Sequence, residues 1–82
     1  MTHIDEAFEQ LGKNFARILT KKRILKSEII SLKQQAKNLT DYDSKFKPLL
    51  NKITTQVNGM KGELSQERRQ KIQEIYEEYF AN

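Results

Sequence analysis

The stretch IDEAFEQLGKNFARILTKKRILKSEIISLKQQAKNL, residues 4–39, places apolar side chains at alternating spacings of four and three. Ile4, Phe8, Leu11, Phe15 and Ile18 begin the stripe, and Leu25, Ile29, Leu32, Ala36 and Leu39 continue it beyond Lys22. This is a heptad pattern with Phe8, Phe15, Lys22, Ile29 and Ala36 at position a. It predicts one long helix over roughly residues 4–40. Asp5, Glu6 and Glu9 fall where the positive end of a helix dipole favours acids, with Thr2 or His3 near the cap. Gly12 costs about 1 kcal/mol relative to Ala inside such a helix. It marks either a close approach by another backbone or nothing at all.

The polar run Thr40-Asp41-Tyr42-Asp43-Ser44 reads as a tight connection, with Ser44 the expected cap of a second helix over roughly 45–59. Pro48 then lies in a first turn, where its missing N–H has no intrahelical partner to lose. Phe46, Leu50, Ile53, Val57, Met60 and Leu64 extend a second stripe, but Asn58-Gly59 and Gly62 interrupt it. The pattern resumes out of phase at Ile72, Ile75, Tyr76, Tyr79 and Phe80. A third helix is therefore expected over roughly 65–80, capped by Ser65.

The fold class that follows is all-α and coiled-coil-like, a single helical domain over residues 1–82. A long N-terminal helix packs antiparallel on two shorter ones in a hairpin. That pairing brings the two acidic segments, residues 1–12 with Asp5, Glu6 and Glu9 and residues 74–82 with Glu74, Glu77 and Glu78, to one tip and sets the glycine break opposite Lys22 and Arg23. The alternative is a compact bundle in which the third helix folds back. Lys22, polar at an a position, either fixes register or carries its ammonium out to solvent along an aliphatic stem. In the first case Lys22→Leu stabilises the fold.

Composition narrows the function. A chain of 82 residues has little surface to bury, so self-association is a default expectation. Charged residues make up 32% and mean hydropathy is −0.80, and no stretch has the length of a membrane span. Cysteine is absent, and the start lacks the pattern of a signal peptide, so a cytoplasmic location is expected. His3 is the only histidine, and no phosphate loop, nucleophile–base arrangement or metal-ligand spacing is present. The expectation is a protein that is not an enzyme and has no cofactor, no metal and no small-molecule substrate.

Two binding readings remain. Leu19, Ile30, Tyr76, Tyr79 and Phe80 exceed what one hairpin can cover, which points to a second copy of the chain or another protein as partner. This is the reading of a small adaptor, chaperone or regulator that acts as a homodimer. The alternative rests on charge. Net charge is +4, yet residues 13–73 hold all fifteen Lys and Arg against five acids. Lys21, Lys22, Arg23, Lys26, Lys33 and Lys37 are the candidate phosphate contacts of a nucleic-acid-binding protein without base readout.

Overall fold

Chain direction changes where the heptad pattern runs on without interruption. In the computed structural model, which describes residues 3–81, the first helix, α1, spans His3–Leu19 and the second, α2, spans Lys26–Tyr42. The expected single helix over 4–40 is therefore two helices. A continuous one would be about 54 Å long at 1.5 Å per residue. The whole bundle measures 35 × 23 × 18 Å. The expectations for Thr2 and for the side chains of His3 and Ile4 lie outside the described residues.

Several features end α1 at Leu19. The Thr20 hydroxyl donates to the Arg17 carbonyl at 2.7 Å, and the Lys21 N–H turns back to the Ile18 carbonyl at 3.0 Å. Lys21, Lys22 and Arg23 then lie at the negative end of the helix dipole, where cations are favourable. Ile24 enters the core while Leu25, assigned a core position by the heptad, is 48% exposed. Lys22 is exposed in the turn and holds no core position. Lys22→Leu is consequently expected to change stability by less than about 0.5 kcal/mol, as surface substitutions do. Urea denaturation checks this, and a clear gain would restore Lys22 to the core stripe.

A short 3-10 turn, Ser44–Phe46, leads directly into α3, Lys47–Val57. The cap here is Asp43, whose carboxylate accepts the Lys45 N–H at 3.0 Å, and not Ser44. Pro48 does sit in the first turn of α3. Leu49, rather than Phe46 or Leu50, is the fully buried residue of that turn. Asn58 closes the helix, and Gly59 and Gly62 adopt φ of 72° and 66°, the left-handed region that a side chain resists. The last helix, α4, spans Gln66–Tyr79, and the Ser65 hydroxyl caps it by accepting the Arg68 N–H at 3.2 Å.

Among the described residues the four α-helices form an up-down-up-down bundle. Asn14 donates to Gln35 between α1 and α2, Lys52 to Glu78 between α3 and α4, and the Phe15 ring lies 6.3 Å from that of Tyr76 between α1 and α4. The expected hairpin is thus corrected to a four-helix arrangement in which the first arm is also folded. Burial explains the preference. Fifteen apolar residues, from Leu11 to Ile75, share one core, and a chain this small needs all of them there. No helix among the described residues is long and apolar enough to cross a membrane.

The two turns at one end of the bundle pair with each other. The Lys26 N–H donates to the Gly62 carbonyl at 2.8 Å, and the Leu64 N–H to the Ile24 carbonyl at 2.7 Å, as a single antiparallel bridge between Leu25 and Glu63. Two adjacent arginines of α4 then satisfy the ends of two other helices. The Arg68 guanidinium donates to the Gln56 and Asn58 carbonyls at the end of α3. Arg69 donates to Leu19 at 2.9 Å, Lys21 at 2.7 Å and Lys22 at 3.3 Å, beyond the end of α1. Helix C-termini leave carbonyls without intrahelical donors, and a planar guanidinium reaches several at once.

Candidate protein-docking cleft

At the opposite end of the bundle, aromatic rings replace backbone pairing. Phe8 of α1 lies 5.3 Å from Phe46 and 4.6 Å from Phe80, while Phe80 lies 5.4 Å from Phe15 and 5.9 Å from Tyr76. These separations lie in the range of favourable ring pairing. The stack brings the start of α1 beside the end of α4, as the expected meeting of the acidic segments requires.

Along this seam runs an open cleft of ≈ 390 Å³ between α1 and α4. Its α1 wall is Phe8, Gly12 and Ala16, four residues apart, with Glu9 and Lys13 on the rim; its α4 wall is Tyr76, Tyr79 and Phe80. Small residues at 12 and 16 lower the floor and the aromatics raise the sides. Gly12 is required by its neighbour: a Cβ at that position would stand 2.7 Å from Cδ1 of Phe80. The close approach foreseen at Gly12 is thus real, but it is made by a ring and not by another backbone.

Tyr79 is held from behind. The Lys52 ammonium sits 5.2 Å from the Tyr79 ring centroid and donates to both Glu78 carboxylate oxygens, at 2.8 and 2.7 Å. The hydrogen bond to Glu78 is the main cause that raises the Lys52 pKa above its ordinary value, and Tyr79 adds to it. The side chain therefore stays cationic against the ring throughout the neutral range. A second cleft, of ≈ 320 Å³ between α3 and α4, is lined by Lys52, Lys71, Glu74, Ile75 and Glu78 among others.

Of the expected partner-binding residues, Tyr76, Tyr79 and Phe80 gather on this cleft. All three are half-buried. Leu19 belongs to α1 farther along, also half-buried against the core, with its carbonyl bound to Arg69. Ile30 stands apart on α2 at 45% exposure. The small residues Gly12 and Ala16, which give the cleft its floor, were not foreseen as part of a site. Their spacing of four from Phe8 is the signal that marks them.

The expected phosphate contacts divide. Lys21 bonds Glu28 at 2.7 Å and Arg23 approaches Glu63 at 3.9 Å, so acids already meet both. Lys22 lies in the turn, and Lys26, Lys33 and Lys37 lie on α2. No protein-family model, curated protein or solved structure matches the chain.

Proposed function

We propose that this chain is a non-enzymatic protein-binding module, an adaptor, chaperone or regulator, that takes an apolar helix into the α1–α4 cleft and forms a homodimer through it. The observation that carries the reading is the cleft itself, with aromatic walls on a floor of small residues. Grooves of this kind receive the apolar face of an amphipathic helix. The rim also favours a second copy. Glu9 and Lys13, 3.4 Å apart on α1, become mutual partners when two copies cross antiparallel at this helix.

Ala16→Arg tests the reading, because arginine is a good helix former and Ala16 is only half-buried, so the substitution fills the cleft without entering the core. Sedimentation equilibrium should give a dimer at micromolar concentration for the unaltered chain. The variant should be monomeric, with its dissociation constant raised at least about 100-fold and its helical circular dichroism unchanged. A monomeric unaltered chain removes the second copy as occupant. An undisturbed dimer in the variant moves the interface away from the cleft.

A further inference from the structure

The side of the bundle opposite the cleft has a charge pattern of its own. Residues 29–40 of α2 and residues 44–62, which include α3, contain no Asp or Glu. Glu28 and Gln35, seven residues apart on α2, turn toward α1 through Lys21 and Asn14. Helical spacing places Lys26, Lys33 and Lys37 on the other flank of α2, beside α3. On α3, Lys52 faces α4 through Glu78, which leaves Lys47, Asn51, Thr54 and Asn58 on the flank away from α4. Lys37 and Lys47 lie near the junction of the two helices. At the far end, the Lys26 N–H donates to the carbonyl of Gly62, the residue that follows Lys61.

These five lysines share one side of the bundle and, like Arg17, Lys22 and Lys71 elsewhere on it, make no ion pair within 4.0 Å to a described residue. Lys13, Lys21, Arg23, Lys45 and Lys52 each have an acidic partner within 4.0 Å, and Arg68 and Arg69 are bound to carbonyls. No ion pair to a described residue is made by Lys26, Lys33, Lys37, Lys47 or Lys61. Lys37, Lys47 and Lys61 are exposed, and Lys26 and Lys33 are half-exposed. Neutral donors, Gln34, Asn38, Asn51 and Asn58, lie on the same exposed surface.

We propose that the α2–α3 face binds the sugar–phosphate backbone of a nucleic acid without reading its bases. From Lys26 to Lys37 the ridge runs about 16 Å along the helix axis. A duplex presents a phosphate charge about every 1.7 Å of its own axis, so phosphates are available all along such a ridge. Every free cation on the face is a lysine, a point charge without the planar fork that recognises guanine edges. Amide side chains add hydrogen bonds to phosphate oxygens, contacts that position a protein without specifying sequence. Among the described residues Leu25 and Ile30 are the strongly exposed aliphatics beside these lysines, too little apolar surface to enter a lipid headgroup layer.

Fluorescence anisotropy with a labelled duplex of random sequence, at several salt concentrations, tests this. The unaltered chain should bind with a log–log salt dependence. The triple variant Lys33→Gln, Lys37→Gln, Lys47→Gln should bind at least about tenfold more weakly and reduce the slope by close to 3, at about 0.9 per lost phosphate contact. The control variant Arg17→Glu, Lys71→Gln lowers the net charge by the same three units elsewhere, at two exposed positions, and should change affinity by less than about threefold at the same salt. Circular dichroism confirms that all three chains are helical. Equal weakening by both variants would reduce the effect to net charge and overturn the assignment. So would the absence of duplex binding by the unaltered chain, or binding to phosphatidylserine vesicles in its place.

Discussion

Arg69→Ala lowers the stability of the bundle by about 2 kcal/mol, because hydrogen bonds from a charged donor are each worth more than neutral ones and three are lost together. The acceptors are the carbonyls of Leu19, Lys21 and Lys22 at the end of α1. The Leu19 contact is partly buried and the other two are exposed, so water replaces some of the loss. For a chain of this size the total is only about 4–12 kcal/mol, taking 0.05–0.15 kcal/mol per residue. Arg69→Lys should recover less than half, since an ammonium cannot span three carbonyls as a planar guanidinium does. Urea midpoints measure both variants, and amide exchange should show residues 20–25 opening first. A midpoint shift below about 0.5 kcal/mol would mean that the strand-like pairing with residues 62–64 holds the turn alone.

Gly12→Ala changes sign with the residue facing it. In the native chain the added methyl would stand 2.7 Å from the Phe80 ring, and moving that ring weakens its packing on Phe8, Phe15 and Tyr76. Ring pairs contribute about 0.5–1.5 kcal/mol each, which outweighs the helix propensity gain of about 1 kcal/mol and leaves a net loss of about 1–2 kcal/mol. In a Phe80→Ala background, itself less stable by about 2 kcal/mol, the methyl meets open space and the same substitution should stabilise. The cycle therefore carries a coupling of about 2–3 kcal/mol, read from four denaturation midpoints. Additive effects would mean that Phe80 does not rest on Gly12 in solution.

Local chemistry in the second half of the chain was legible because it is encoded within a few residues. Gly59 ends a helix by its positive φ, Ser65 caps the next, and Pro48 sits where a helix tolerates it. The break after Leu19 was not, because Ile18, Lys22 and Leu25 keep the four-three spacing across it and Lys22 can be excused as a side chain reaching solvent. What decides the matter is tertiary. Arg69 and residues 62–64 supply the partners that residues 19–26 need, and they lie some forty positions away. The cleft was half legible for a similar reason. Tyr76, Tyr79 and Phe80 stood out as a surplus, whereas Gly12 and Ala16 acquire meaning only once α4 lies beside them. Among the cations, proximity in sequence grouped Lys21 and Arg23 with Lys26, although folding gives Glu28 and Glu63 to the first two and bonds the Lys26 backbone to Gly62.

The paired turns make the bundle mechanically unequal along its length. Residues 24–26 and 62–64 act as a spine, since parting them breaks two backbone hydrogen bonds, whereas at the other end α1 meets the end of α4 through ring pairs. The covalent link between α2 and α3 closes the remaining seam at that end. Any splaying of the helices must therefore begin where Phe8 and Phe80 meet, and a guest wedged between them would spread the outer halves of α1 and α4 about a fixed axis.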